Sequence, residues 1–353
     1  MNIDMLLNYL EEYNEEELFY REYYEKKKDE KAFDAYIQSL DPRYIQSNRL
    51  IIPELSASAA HTDMPMQEEL YFDRNTDKCV YLIKHNRYTP PFTHTHNFFE
   101  MIYVLQGTCR HTIYGNTCTM QEGDLYMISP SVEHSIFAGE DGIVINILIR
   151  RSNIEDIFFN ALRDQNIISD FLVNSIYLKN YAAYLVFHTS NDKETKEQIL
   201  EMYLEQIEGD TFSDRIISNM LMIFFIRLVR KYKDTAQTHS TLPTSAASAQ
   251  ILHYIADDFN TITLNDLATK LNYSVPYCSK YIKEVTGQSF LHLLKKVRFR
   301  KAENYLATTN FSIQKVSDLL GYENPENFIR AFKKEYGVSP SKYRTAAHQT
   351  DGL

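Results

Sequence analysis

The stretch "TLNDLATKLNYSVPYCSKYIKEVTG" (residues 263–287) predicts two short helices joined by a turn. Its apolar residues recur at spacings of three and four on either side of Asn272, which is the period of an amphipathic helix. Asn272 can take the left-handed conformation that a tight turn needs. Ser274 can cap the second helix, and Ala268 is small where two helices must cross closely. Together these features are typical of a helix-turn-helix unit.

The same pattern recurs in "SIQKVSDLLGYENPENFIRAFKKEYG" (residues 312–337), where Ser317 takes the small position and Gly321 the turn. A helix-prone segment, near Phe290 to Ala307, lies between the two units and would span about 27 Å at 1.5 Å per residue. A rod of this length can hold two recognition helices roughly one DNA turn apart on one face of a duplex.

The charge of the chain is divided unevenly along its 353 residues. In total, 37 Lys or Arg stand against 47 Asp or Glu, a formal net charge of −10. From Ser245 to the end, 14 Lys or Arg stand against 10 Asp or Glu, so this part carries +4 and the rest carries −14. Such asymmetry favours one domain that meets polyanions and one that does not. A positive balance suits phosphate neutralisation, which supplies most nonspecific DNA affinity.

Three motifs, "DLATKL", "RFRKAENYL" and "VSDLLGYENPENFIRAFKKEYGVSPSKYR", follow one another between residues 266 and 344. With them, residues 250–346 resemble the C-terminal DNA-binding domain of AraC-type transcription regulators. The departures are small: Ser317 stands where the family often has Ala, and Asn272 where it often has Gly. The resemblance implies double-stranded DNA as a partner, and RNA polymerase as another if the protein activates transcription.

The resemblance also places the DNA contacts, by position, on the second helix of each unit. For each basic residue among them the alternative is a solvated surface charge. The base-reading candidates are Pro276, Ser279 and Lys280 in the first unit and Pro325, Glu326, Ile329 and Arg330 in the second, and the phosphate-contact candidates are Lys283, Lys333 and Lys334.

Between residues 70 and 150 the sequence consists of short β-branched and aromatic runs separated by turns. "YGNT" is a hairpin signal, because Gly115 and Asn116 accept positive φ. Many short antiparallel strands at this spacing predict a barrel or jelly roll. The flanking segments are predicted to be a helical extension (1–69), a helical packing or dimerisation region (151–233) and an interdomain linker (234–249).

Within the strand region, "HTHNFFEMIYVLQG" (residues 94–107) places His94, His96 and Glu100 at the same parity of a strand. Their side chains should therefore point to one face, and His134 follows on a later strand. Three imidazoles and a carboxylate suit Fe, Mn, Ni, Zn or Cu. The same groups can also hydrogen-bond the hydroxyls of an organic ligand in a walled cavity.

The spacing from His94 to Gly107 matches the first cupin motif residue for residue. "EGDLYMISPSVEHS" resembles the second motif more loosely, with Ser129 and Ser131 at positions that are usually Pro and Gly and His134 in its expected place. In AraC-type regulators a cupin-like domain commonly senses small molecules, often sugars. The resemblance therefore implies a ligand-responsive transcription regulator.

The effector pocket would be formed by His94, His96, Glu100 and His134, with a small-molecule effector, sugar-related, as its occupant. No cofactor is required by this interpretation, and a divalent metal held by the same four residues is the alternative occupant. The alternative function is a metal-dependent cupin enzyme with an accessory DNA-binding domain.

The expected fold class is α+β multidomain, with a cupin-like antiparallel β-barrel and flanking helices followed by an all-α domain of two helix-turn-helix units. The acidic opening "MNIDMLLNYLEEYNEEE" does not resemble a signal peptide, and the apolar stretch from Met220 to Ile226 is too short to span a bilayer. Four cysteines without a C-x-x-C pair are expected to be reduced. We therefore expect a cytoplasmic protein without a membrane partner.

The segment "MLMIFFIRLV" (residues 220–229) is apolar on most sides. A helix of this composition must be buried, either in its own domain or against a second subunit. Since AraC-type regulators bind paired sites, we expect a homodimer that uses this region.

Overall fold

The computed structural model describes residues 1–55, 64–72, 78–151, 154, 166–190, 192–240 and 246–350. The chain divides into two compact units, the first mainly residues 1–161 and 182–241 and the second mainly residues 242–353. Each unit contains its own buried apolar cluster.

Four helices open the first unit, and each begins at a side-chain cap that satisfies a free N–H group. The cap of the second helix is reciprocal: the Asn14 side chain accepts from the Glu17 N–H at 2.8 Å, and the Asn14 N–H donates to the Glu17 carboxylate at 3.1 Å. The helices are α1 (Ile3–Glu11), α2 (Glu15–Lys26), α3 (Glu30–Ser39) and α4 (Pro42–Ser47).

A buried ion cluster joins α2 to the sheet that follows. The fully buried Glu17 carboxylate accepts from Arg87 Nε at 3.0 Å and from Lys84 Nζ at 2.8 Å. Burial by itself would raise the pKa of Glu17, but the bonds from Arg87 and Lys84 leave that pKa below its usual value. The carboxylate is therefore charged, and removing both Arg87 and Lys84 would leave a buried charge without compensation.

In the part of the chain that the structure describes, nine antiparallel strands form two open sheets, whereas the sequence predicts a closed barrel. The six-stranded sheet has the order β1-β7-β2-β5-β8-β9, and the three-stranded sheet has the order β4-β3-β6. All seven residues of β7 are buried, because this strand lies between β1 and β2. The strands are β1 (Val80–His85), β2 (Phe99–Gln106), β3 (Thr108–Ile113), β4 (Asn116–Gln121), β5 (Asp124–Ile128), β6 (His134–Ala138), β7 (Ile143–Ile149), β8 (Ala183–His188) and β9 (Gln237–Ser240).

Two of these strands lie outside the predicted strand region. The β8 strand falls in the segment 151–233 that the sequence predicts to be helical, and its "AYLVFH" run pairs with β5. The β9 strand falls in the predicted linker 234–249 and pairs with β8. Both differences have the same cause. Whether a short segment forms a strand depends on the presence of a free sheet edge with which it can pair. Among the described residues of segment 151–233, the other elements with defined bounds are α5 (Ile167–Tyr177), α6 (Lys193–Glu208) and α7 (Ser213–Tyr232).

Seven helices make up the described part of the second unit. The two predicted helix pairs are present as α9 with α10 and as α12 with α13, and the 19-residue α11 connects them over about 28 Å. The helices are α8 (Ala246–Asp257), α9 (Leu264–Lys270), α10 (Val275–Thr286), α11 (Phe290–Thr308), α12 (Ile313–Leu319), α13 (Pro325–Tyr336) and α14 (Pro340–Thr350).

The two helix pairs repeat with a change of offset. The caps Thr263 and Ser312 of the first helices are 49 residues apart, whereas the caps Ser274 and Asn324 of the second helices are 50 apart. The turn of the second pair is therefore one residue longer. Both turns contain one residue at positive φ, Asn272 at 55° and Gly321 at 74°.

Among the described residues, no helix combines the length and the apolar character needed to cross a lipid bilayer.

Candidate functional site

The four predicted pocket residues meet at one end of the two sheets. His94 and His134 face each other in an antiparallel bridge, with an N–H···O bond of 3.0 Å in each direction. Glu100 is the second residue of β2. His96, Glu100 and His134 are at most 5% exposed, while His94 is partly exposed. The bridge between His94 and His134, and not strand parity, brings together these two residues that lie 40 positions apart.

Three side-chain atoms converge without hydrogen-bond partners. Glu100 Oε2 lies 3.4 Å from His96 Nε2 and 3.4 Å from His134 Nε2, and among the described residues none of these three atoms has a hydrogen-bond partner. His94, Glu100 and His134 each offer a ligand atom within 4.8 Å of the other two. This donor set, two imidazoles and a carboxylate, fits a divalent transition metal.

The carbonyl contacts of two histidines fix their tautomers. His96 Nδ1 lies 2.7 Å from the Phe98 carbonyl oxygen, and His94 Nδ1 lies 3.2 Å from the Phe92 carbonyl oxygen. A carbonyl can only accept, so the Nδ1 atoms carry the protons. In the neutral rings, each Nε2 then keeps its lone pair and can ligate a metal or accept from a hydroxyl.

The charge states are set mainly by burial. Burial lowers the pKa of His94, and it lowers the pKa of His134 well below its usual value. Burial would raise the pKa of Glu100, but the adjacent His96 and the nearby His94 and His111 leave it lowered. Glu100 therefore stays a carboxylate beside the neutral imidazoles of His94 and His134.

Sequence reasoning missed two histidines of this site. His111 is fully buried, and its Nε2 lies 3.1 Å from His134 Nδ1. His85 ends β1, and its Nε2 is buried without a partner among the described residues. Burial lowers the pKa of each of the two to about 4. The signal for His111 was present, because it shares parity with the inward Cys109 and Ile113 in the burial pattern of β3.

A cavity of about 190 Å³ extends from His94 and Glu100 toward the N-terminal helices. It offers room for about six water molecules at roughly 30 Å³ each. Its walls mix aromatic and aliphatic side chains with a few polar groups. The lining residues are Tyr20, Arg49, Ile51, Met66, Tyr71, Ile83, Lys84, His85, Asn86, Thr89, Phe92, His94, Phe98, Glu100, Ile136, Asn146 and Leu148.

The predicted DNA contacts lie on α10 and α13, on the side away from the buried core positions. Most of them pair up at the offset of 50. In each helix, the paired positions fall within about 100° of one another around the axis. The pairs are Pro276 with Glu326, Ser279 with Ile329, Lys280 with Arg330 and Lys283 with Lys333; Ser279, Pro325 and Ile329 are partly exposed, and the other candidates are exposed.

Two candidates depart from this correspondence. Pro325 is the first residue of α13 and matches Val275, and Lys334 matches Glu284. Within the described part of the chain, the ammonium groups of Lys280, Lys283 and Lys333 form no ion pair, whereas Arg330 donates to Asn327 Oδ1 at 2.6 Å. The DNA-contact roles of all ten residues stay predictions.

Family models match both units. A helix-turn-helix domain model matches residues 267–346, and a cupin domain model matches residues 80–149. The strands β1 to β7 lie within the second match, and the helix pairs lie within or next to the first.

Curated relatives are regulators of transcription. The HTH-type transcriptional activator RhaS of Mannheimia succiniciproducens is 25% identical over 71% of this chain and 88% of its own length. The uncharacterized HTH-type transcriptional regulator YtdP of Bacillus subtilis is 28% identical over 52% of this chain but only 22% of its own length. The raffinose operon transcriptional regulatory protein RafR of Pediococcus pentosaceus is 30% identical over 39% of this chain and 50% of its own length.

Proposed function

Because this chain is an AraC-type transcriptional regulator with an N-terminal cupin domain, we propose that it binds operator DNA through two helix-turn-helix units. We further propose that a small, hydroxylated, sugar-related effector in the cupin cavity controls that binding. Regulation of transcription is favoured over the alternative, a metal-dependent cupin enzyme, because the curated relatives named above are regulators.

The repeated surface of α10 and α13 is the observation that carries the DNA-binding proposal. Lys280 and Arg330 occupy equivalent positions, as do Lys283 and Lys333, and all four are exposed. Arg and Lys can donate to guanine O6 and N7 in the major groove, while lysines one turn further along a helix suit phosphates. A helix repeated in this way suits two successive major grooves.

The DNA-binding test is a mobility shift of the full chain on DNA from its own promoter region. We expect a sequence-specific complex at low salt that weakens steeply as salt rises. The Lys280→Ala, Arg330→Ala double variant should lose the specific complex and keep nonspecific binding. If this variant and the parent protein bind with the same specificity, two-unit recognition is wrong.

The cavity next to His94 and Glu100 supports the effector proposal. Its volume of about 190 Å³ is below the roughly 300 to 1,000 Å³ typical of pockets for drug-sized ligands, so it suits one sugar ring rather than an oligosaccharide. Two buried polar atoms, His85 Nε2 and Asn146 Oδ1, have no hydrogen-bond partner in the described part of the chain and suit hydroxyl groups. A monosaccharide should therefore raise the melting temperature of the full chain, and Glu100→Ala should abolish that shift while leaving DNA binding intact.

The converging atoms of His94, Glu100 and His134 support a second form of this proposal, in which they hold a divalent metal. The metal would supply a Lewis acid for the effector's hydroxyls, and Glu100 would neutralise part of its charge. Addition of Zn²⁺, Mn²⁺, Fe²⁺ or Ni²⁺ to chelator-treated protein should then raise the melting temperature. If none of the four ions raises the melting temperature while an effector still does, the pocket binds its effector without a metal.

The helix α7 supports a homodimer. Its inner face buries Ile217, Leu221, Phe224, Phe225 and Leu228, yet an outer row of apolar side chains stays exposed. The outer row consists of Phe212 at 60%, Ile216 at 40%, Ile223 at 47% and Ile226 at 38% exposure.

Such a row is unusual on a monomer, and a symmetric dimer could cover it with the same row of a second copy. Light scattering should report a dimer at micromolar concentration, and Ile216→Glu, Ile223→Glu should report a monomer. A parent protein that is monomeric with and without DNA would contradict the dimer.

A further inference from the structure

We infer that the cupin cavity selects a ligand that carries a carboxylate or phosphate group, and that Arg49 binds this group. The inference rests on the proposed function, because it takes the cavity to be the effector pocket. Arg49 follows α4 and is an exposed residue of the cavity lining.

Arg49 has a backbone conformation that an arginine rarely adopts. Its φ is +52°, in the left-handed region. The Leu50 N–H donates to the Ile45 carbonyl at 2.9 Å, and the Arg49 N–H donates to the Gln46 carbonyl at 3.2 Å. This pair of bonds is the Schellman motif, in which Gly is the usual residue at the left-handed position. The fold therefore tolerates local strain at the position that presents this guanidinium to the cavity.

The guanidinium of Arg49 is available to a ligand. Among the described residues it makes no hydrogen bond or ion pair, and its five N–H donors form a fork that matches a carboxylate or phosphate. Lys84, another cation of the lining, is already engaged by Glu17 at 2.8 Å. The charge that a ligand meets at the cavity mouth therefore comes from Arg49.

The buried end of the cavity fixes the orientation of the ligand. Glu100 Oε2 is buried and has no hydrogen-bond partner among the described residues, so a ligand hydroxyl can donate to it, whereas an anionic group, which only accepts, cannot. His85 Nε2 and Asn146 Oδ1 are further partners for neutral polar groups. The hydroxylated part of the ligand thus enters first, and its anionic group stays at the mouth with Arg49. Sugar acids and sugar phosphates have this chemistry.

The test compares matched ligands on the full chain. Aldohexoses (glucose, galactose and mannose), their uronates and their 6-phosphates are each titrated by calorimetry and thermal shift. We expect the acids or the phosphates to bind at least tenfold more tightly than the parent sugars, and which series binds distinguishes carboxylate from phosphate.

Two variants separate binding from folding. Arg49→Gly removes the guanidinium but supplies the residue that the left-handed position favours, so it should raise the ligand-free melting temperature by about 1 to 4 °C. The same variant should weaken the anionic ligands on the order of ten- to hundredfold and leave the neutral sugars unchanged. Arg49→Lys, which keeps a charge without the fork, should retain part of the preference.

Several outcomes would overturn the inference. Neutral sugars that bind as tightly as their acids and phosphates show an effector pocket without charge selection, so the proposed function stands and the inference fails. If anionic ligands bind the parent protein and Arg49→Gly with equal affinity, the inference also fails while the proposed function stands. If no member of the panel binds, the inference fails, and the proposed sugar-related effector fails with it.

Discussion

The two helix pairs of the C-terminal unit have basic residues at equivalent surface positions, but their buried residues differ. In the first pair, α10 buries Cys278 and Ile282; in the second, α13 buries Phe328 and Phe332 at the equivalent positions. The first turn has Asn272 on the surface, whereas the second has Gly321 packed against the backbone of Asn260, in the turn that follows α8. Two sequences can therefore form the same kind of helix pair while depending on different buried residues for stability.

The largest expected difference between the pairs is in their cores. Phe328 is fully buried among Phe332 and Tyr322, with ring centroids 5.6 Å apart in each case. Phe328→Ala should destabilise the second unit by about 3 to 5 kcal/mol, while Cys278→Ala should cost about 1 kcal/mol because far fewer atoms are removed. Amide hydrogen exchange over residues 246–350 measures both. Equal losses would contradict the comparison.

The turns give the next largest effect. A Cβ at Gly321 would collide with the Asn260 carbonyl oxygen, and its φ of +74° disfavours any L side chain. Gly321→Ala should therefore cost about 3 kcal/mol or more, whereas Asn272→Gly should be neutral or stabilise the turn by about 0.5 kcal/mol. Denaturant midpoints of the second unit test this. If Gly321→Ala does not destabilise the unit, the backbone at Asn260 can move away from the added Cβ.

The surfaces should differ less, and only in DNA binding. Lys280→Ala and Arg330→Ala should each cost about 1 to 3 kcal/mol of affinity if the side chain reads a base. Arg330 should lie at the upper end, because a guanidinium can bind guanine with two hydrogen bonds. Competition with single-base variants of the operator measures which position each residue reads. A uniform loss on every sequence would assign both residues to phosphates.

The smallest effects are expected at Lys283 and Lys333. Removing either ammonium should weaken binding to all sequences alike and reduce the salt slope by about one. The affinity of Lys283→Ala and Lys333→Ala is measured from 50 to 200 mM salt, with Lys315→Ala on α12 as the control. If the salt slope of either variant equals that of the control, the lysine is a solvated surface charge and does not contact a phosphate.

Sequence periodicity predicted the structure best in the segments whose stabilising contacts are local. The helix pairs, their caps and the common face of Lys280 and Lys283 all follow from spacings within about 25 residues, because helices are stabilised by neighbours three and four positions away. Strand parity alone does not explain why His94 and His96 lie near Glu100, because β2 begins at Phe99 and both histidines precede it. The role of each of these residues in binding stays a prediction.

Prediction was weakest for strands and cavities. The "AYLVFH" run of β8 fits a strand, yet only the edge of β5 decides that it joins the sheet. A closed barrel and two open sheets share one strand pattern, because parity within a strand does not state which edges pair.

By itself, the sequence determined the two repeated helix pairs, the strand-rich segment before them and the shared parity of the three pocket residues near β2. Only the tertiary structure decided that His85, His111 and Arg49 belong to the same pocket region as Glu100. These residues come from β1, β3 and the turn after α4, and no spacing relates them. Their proximity results from sheet pairing and from the packing of the N-terminal helices, and these long-range contacts have no periodic signature in the chain.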